Sequence, residues 1–99
     1  MRIGIVGGLD RNELSYERLA RDHGHEVECH NGRMRGTAST ALEGLVERAD
    51  LVVIVTDINS HNAVRLARRL LRAHPRRSML VRKLGLGRFL ALLQDPAAA

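Results

Sequence analysis

The sequence predicts an α/β fold, a small three-layer domain with a parallel sheet of about four strands, of the Rossmann-like or flavodoxin-like kind. Two apolar β-branched runs, residues 1–7 and 50–56, are typical of strands that helices cover on both faces. Segments with helical apolar stripes alternate with the strand segments, which favours right-handed crossovers between parallel strands. Because the two most apolar strands should be central, we expect the strand order 2-1-3-4.

Composition predicts one domain over residues 1–95, followed by a frayed tail over 96–99. The 99 residues are 44% hydrophobic and 27% charged, which is close to globular averages and argues against disorder. No apolar run approaches the roughly 18 residues of a membrane span. The single cysteine, Cys29, excludes an intramolecular disulfide and a cysteine-only zinc site. We therefore expect a cytoplasmic protein with no membrane partner.

The first strand ends at the glycine pair Gly7 and Gly8. Asp10 is predicted to cap a helix that begins near Arg11, with Glu13 as its capping-box partner. The apolar positions of this helix are Leu14, Tyr16, Leu19 and Ala20.

A second strand is predicted over residues 25–29, where charged and apolar residues alternate as in a half-exposed edge strand. The polar residues 30–37 show no periodicity and form the longest predicted loop. Ser39 or Thr40 is expected to cap the next helix. Its apolar stripe consists of Leu42, Leu45, Val46 and Ala49.

The third strand, over residues 50–56, leads to a helix over 62–73 that Ser60 caps and Pro75 ends. A short last strand follows at 78–81. The final helix is expected around the apolar residues Phe89, Leu90, Leu92 and Leu93.

Ligands of such sheets bind beyond the carboxyl ends of the strands, where consecutive connections leave to opposite faces. In the predicted order this switch point lies between the first and third strands. The segments expected at this rim are residues 7–9, 29–33, 56–61 and 82–87.

A glycine pair after a buried strand is also found in dinucleotide-binding loops, but the glycines here do not have the spacing of the dinucleotide-binding motif. Asp10 would also place a carboxylate beside the phosphates. A tight strand-to-helix turn is the simpler interpretation. A nucleotide- or anion-binding regulator remains as an alternative, with Gly7, Gly8 and the amides before His61 forming an anion nest.

Two of the five histidines, His30 and His61, fall at the predicted rim. Neutral imidazole is the commonest metal ligand and the usual axial ligand of haem iron. Cys29, His30, His61 and Asp57 therefore form a candidate transition-metal set, although no paired ligand spacing supports it. Cys29 with a histidine also suggests a nucleophile pair, but this support for an enzyme is thin and we expect a non-catalytic module.

The leading hypothesis is a small ligand-binding or sensory module that holds a His-ligated cofactor, haem or a transition metal, at the rim. His61 is the first candidate ligand, and Arg33 and Arg82 are candidate partners of haem propionates. Because 99 residues enclose only a shallow pocket, we also expect a homodimer. The predicted aliphatic wall consists of Leu9, Met34, Leu84 and Leu86.

A third hypothesis is an interaction domain that uses an arginine band along and beyond the third helix. The band consists of Arg65, Arg68, Arg69, Arg72, Arg76 and Arg77. Tyr16 and Phe89 are the only aromatic residues, so platforms for base stacking are missing and nucleic acid is the less favoured partner. A solvated helix face would explain the band equally well.

The segments GIVGG, HNGR and ADLVVIVTDINSHNAV, together with an Arg-Lys pair after the fourth strand, resemble a bacterial family of unknown function numbered 2325. The similarity covers nearly the whole chain. It implies a compact sheet with its site at the rim beside strand three, and it implies no particular activity. The sequence departs from the family at Leu84 and Gly85, where a serine is expected. The matching positions are His30, Gly32, Arg33, Thr56, Asp57, His61 and Asn62.

Overall fold

A computed structural model describes residues 1–8 and 12–95. It contains one parallel sheet in the order β2-β1-β3-β4, which confirms the predicted strand order. The strands are β1 (Arg2–Val6), β2 (Glu26–His30), β3 (Leu51–Val55) and β4 (Arg77–Val81).

Helices cover both faces of this sheet and complete the predicted three layers. They are α1 (Glu13–Asp22), α2 (Ala38–Arg48), α3 (His61–Ala73) and α4 (Leu86–Gln94). Helices α1 and α4 pack on one face, where Phe89 is fully buried, and α2 and α3 pack on the other, around Leu42 and Val46. Every residue of β3 is buried, whereas β2 is a half-exposed edge strand, as the residue patterns predict.

The sequence predicts the cap of α3 correctly and the cap of α2 wrongly. Ser60 caps α3 as expected, because its Oγ accepts a hydrogen bond from Ala63 N at 3.0 Å. Helix α2 instead begins after Thr37, without a side-chain cap, so the prediction of Ser39 or Thr40 is wrong. A residue that can cap a helix does so only where the chain leaves a free amide in reach.

Helix α1 (Glu13–Asp22) follows Asn12, and the predicted capping box depends on Asp10, which lies outside the described residues. Leu14 is 76% exposed, which corrects its predicted place among the apolar positions of this helix. Tyr16 and Ala20 are buried, and Leu14 lies about 200° around the helix from Tyr16. The expectations for Leu9, Asp10 and Arg11, and for the tail at 96–99, concern residues outside the described ones.

The end of the domain opposite the rim carries three histidines with local partners. His25 Nδ1 lies 2.9 Å from the amino group of Met1, and His23 Nδ1 lies 2.9 Å from Leu19 O. His74 Nε2 lies 3.8 Å from the Glu47 carboxylate. Within residues 1–8 and 12–95, no helix has the length and apolar character needed to cross a membrane.

Candidate functional site

The carboxyl ends of the four strands bring four loops to one rim of the sheet. The chain leaves β1 toward the α1 and α4 face, and it leaves β3 toward the α2 and α3 face. The point where these connections diverge lies between β1 and β3, as predicted, and is the usual ligand position in such folds.

Asn59 joins the ends of β1 and β3 on the α2 and α3 side of this point. Its Nδ2 donates to Val55 O at 2.8 Å and lies 3.4 Å from Val6 O. Its Oδ1 accepts from Ser60 N at 2.8 Å. No local sequence pattern marks Asn59 as a functional residue, since its partner at Val6 is distant along the chain. Its only sequence signal is its position between Asp57 and His61 in the family-like segment.

Gly7 and Gly32 pack directly against the Asn59 side chain. A Cβ atom on Gly7 would lie 2.4 Å from Asn59 Nδ2 and 2.5 Å from Val55 O. A Cβ atom on Gly32 would lie 2.1 Å from Asn59 Oδ1. Because real Cβ atoms do not approach so closely, these glycines are needed for the close packing of three loops.

The amides of the glycine pair are already used inside the chain. Gly7 N donates to His30 O at 2.7 Å, and Gly8 N donates to Ile58 O at 2.9 Å. These bonds fasten the β1 loop to the loops after β2 and β3. An anion nest would therefore need to compete with both bonds, which weakens the anion-binding alternative at this position.

His30 fastens the loop that follows β2. Its Nδ1 accepts a hydrogen bond from Gly32 N at 3.0 Å, so the 3.0 Å contact of Nε2 with Ala38 O is a donated bond. Both ring nitrogens therefore hold the loop, and neither is left without a partner to bind a metal. Arg33 N is bound to Asn31 Oδ1 at 2.8 Å, while the Arg33 side chain is exposed.

The proposed set of metal ligands does not assemble. Among the described residues, no three His, Cys, Asp or Glu side chains form a group that could hold a metal ion. Cys29 packs toward the α1 and α4 face, and the adjacent His30 points to the other face because strand residues alternate. Strand β1 also separates β2 from the Asp57 and His61 end of β3.

A cavity of about 260 Å³ opens on the α1 and α4 side of the switch point. We call it the switch-point cavity. Its lining residues are Gly8, Asn12, Tyr16, Val55, Asp57, Ile58, Lys83, Leu84 and Gly85. The buried side chains of Tyr16, Val55 and Leu84 make the inner part of the cavity apolar.

Tyr16 connects α1 to the loop after β4 across the cavity floor. Its hydroxyl donates to Leu84 O, and its ring meets Phe89 edge-on with centroids 5.0 Å apart. Burial raises the pKa of the Tyr16 phenol, a hydrogen bond with Asn12 lowers it, and the Cys29 charge raises it slightly. The phenol is protonated at neutral pH, and the raised pKa keeps it a hydrogen-bond donor to more alkaline pH than a free tyrosine.

The mouth of the cavity carries a strained residue and a loose ion pair. Ile58 has φ +48°, is 54% exposed and accepts the bond from Gly8 N. A β-branched residue rarely adopts this left-handed conformation, and such residues concentrate at ligand sites. Lys83 Nζ lies 3.8 Å from Asp57 Oδ2, and both side chains are substantially exposed.

The other predicted site residues lie at the rim outside this cavity. His61 and Asn62 form the exposed first turn of α3, and Thr56 and Arg82 are exposed beside it. The main chain ties these loops together through Thr56 N to Val81 O at 2.8 Å and Asp57 N to Arg82 O at 2.9 Å.

The predicted aliphatic wall is divided by the sheet. Met34 packs on the α2 and α3 side, whereas Leu84 is buried on the α1 and α4 side. Leu86 is 40% exposed at the start of α4. These side chains therefore do not form one continuous surface in a single chain.

A comparison with family models matches residues 2–95 to the family described as "Uncharacterized protein conserved in bacteria" (DUF2325). The chain belongs to this family. No curated protein and no solved structure matches the chain. At the position where the DUF2325 resemblance predicts a serine, the buried Leu84 offers its main-chain carbonyl to Tyr16, so this contact uses the backbone.

Proposed function

We propose that this DUF2325 chain is a small ligand-binding module, with a binding or sensory role rather than a catalytic one, and that its ligand occupies the switch-point cavity. The observation that carries the proposal is the strained and exposed Ile58 at the mouth of a cavity that opens at the switch point. Ligand sites in open parallel sheets concentrate there. The single Cys29 fits a reducing, cytoplasmic location.

The lining defines the class of ligand. A cavity of about 260 Å³ lies just below the usual range for ligand pockets, which points to a small ligand, and its inner part is apolar. At the mouth, the Asp57–Lys83 pair is held only loosely at 3.8 Å, so an anionic group can replace Asp57 as the partner of Lys83. The expected ligand is a small apolar molecule that carries one carboxylate.

Methyl-resolved NMR tests this proposal directly. A set of small aliphatic and aromatic carboxylates is titrated into the labelled protein, and the methyl signals of Ile58, Val55 and Leu84 are followed. Those signals should move together and saturate with at least one compound. The methyls of Leu42 and Val46, buried on the opposite face, are the matched control. Shifts confined to other parts of the protein, or no saturable shift, would overturn the cavity as the site.

A second candidate function is binding of haem through His61. The observation in its favour is that the exposed His61 imidazole has no hydrogen-bond or ion-pair partner among the described residues. The divided aliphatic wall does not enclose a haem in one chain. A haem bound to His61 would therefore need a second copy of the chain to form the other wall of its pocket, so this candidate function also predicts a homodimer.

Haem titration separates the two candidates. If His61 is the ligand, added haemin gives a saturable Soret band that His61→Ala removes and His74→Ala retains. Sedimentation should then show a dimer with one or two haems, and metal analysis of the purified protein should find iron. A Soret band unchanged in His61→Ala rejects this candidate and leaves the cavity proposal standing.

A further inference from the structure

The exposed arginines of α3 differ from Arg2 and Arg48, because among the described residues they have no acidic partner. Arg2 Nε lies 2.9 Å from Glu26 Oε2, and the Arg48 guanidinium forms an ion pair with the Glu28 carboxylate. Helix α3 contains no acidic residue, and its arginines form no ion pair with a described carboxylate. These exposed residues are Arg65, Arg68, Arg69 and Arg72.

Three of these arginines line a groove of about 380 Å³ beside α3. Two partly buried apolar residues complete it, Met34 from the loop before α2 and Leu66 from α3. We call this the arginine groove. Its lining residues are Met34, Asn62, Arg65, Leu66, Arg69 and Arg72. The groove therefore combines a positively charged rim with apolar surface, and its described lining contains no carboxylate.

This chemistry fits an acidic protein segment better than a nucleic acid. Both aromatic residues, Tyr16 and Phe89, are buried in the core, so neither can stack on a base. Guanidinium groups bind carboxylates through two parallel hydrogen bonds. Met34 and Leu66 add apolar surface, which suits the side chains of an amphipathic peptide and contributes nothing to phosphate binding.

We propose that the arginine groove binds an acidic amphipathic segment of a partner protein. Its carboxylates pair with Arg65, Arg69 and Arg72, and an apolar side chain lies between Met34 and Leu66. The groove is on the α2 and α3 face, whereas the switch-point cavity is on the other, so each site can be tested without the other.

Fluorescence anisotropy at physiological salt tests this inference on the full chain. The probe is a labelled peptide of repeated Glu-Glu-Leu, and the comparison probes are its Gln-Gln-Leu counterpart and a short DNA duplex. The acidic peptide should bind best. The double variant Arg65→Gln, Arg69→Gln should lose about tenfold in affinity, the size expected for two exposed ion pairs.

The control variant Arg18→Gln, Arg21→Gln removes the same charge from two exposed positions of α1 on the opposite face. It should bind the peptide like the wild type. A further variant, Met34→Ser, should weaken binding of Glu-Glu-Leu without removing a charge. Equal losses of peptide affinity in both double variants would mean that only the net charge of the protein matters. Tighter binding of DNA through the same arginines would mean that the partner is a nucleic acid and not a peptide. Either result overturns the inference.

Discussion

The rim of the sheet has two halves that are built in opposite ways. In the closed half, on the α2 and α3 side, Asn59 packs against Gly7 and Gly32, and His30 uses both ring nitrogens on the main chain. In the open half, on the α1 and α4 side, Ile58 has a strained backbone conformation at the mouth of the cavity, and Lys83 forms only a loose ion pair with Asp57. The polar groups of Asn59 and His30 in the closed half hold loops together, whereas the open half contains the cavity in which we propose that a ligand binds.

The largest loss of stability is expected from a substitution of Gly7, in the closed half. Gly7 and Gly8 both have positive φ, +94° and +87°, but among the described residues a Cβ on Gly8 would meet only Val55 Cγ1 at 4.0 Å. We expect Gly7→Ala to cost about 3–5 kcal/mol, from backbone strain plus overpacking against Val55 O. Gly8→Ala should cost about 1–2 kcal/mol from strain alone. Urea unfolding of both variants measures the difference, and equal costs would disprove the close packing.

The next effect concerns Asn59 itself. Asn59→Ala removes the donor to Val55 O and the acceptor for Ser60 N, which leaves part-buried main-chain groups unpaired. We expect a loss of about 2 kcal/mol in the free energy of unfolding. The exposed Asn62→Ala should change it by less than about 0.5 kcal/mol. If the two variants unfold at the same urea concentration, Asn59 does not hold the loops.

A smaller effect is expected at Tyr16, on the floor of the open half. Tyr16→Phe leaves Leu84 O without its donor and should cost about 1–2 kcal/mol at neutral pH. Since the folded pKa of Tyr16 is raised, the wild-type advantage is complete below the unfolded pKa of about 10 and falls as pH rises through the folded pKa. Urea unfolding of the wild type and of Tyr16→Phe, from neutral to strongly alkaline pH, measures how their difference in stability depends on pH. A pH-independent difference would contradict it.

The smallest effect is a gain in stability at Ile58. Ile58→Gly relieves the strain at φ +48° and should raise the free energy of unfolding by about 0.5–1 kcal/mol. Ile58→Ala keeps a Cβ atom in the same conformation and should bring no such gain. Thermal unfolding compares the two. If Ile58→Gly and Ile58→Ala are equally stable, backbone strain at Ile58 does not distinguish the open half from the closed half.

Much of the fold could be predicted because it depends on short-range patterns. The apolar run of β3 and the stripe of α2 specify burial by themselves, and both lie in the core. The rim loops were also placed correctly, since strand order follows from which strands are most apolar. The cap of α2 was predicted wrongly, because a cap depends on where the chain enters the helix and not only on the capping residue.

The sequence by itself determined the alternation of strands and helices, the order of the sheet and the cap at Ser60. The alternation follows from periodicity, the order from which strands are most apolar, and the cap from a contact within one turn. Only the tertiary structure decided which rim residues meet. The register that pairs Val6 with both His30 and Ile54 brings Gly7, Gly32 and Asn59 together, and the same order keeps Cys29 and His30 apart from Asp57 and His61. These contacts join loops from three strands, and no local pattern encodes such distances.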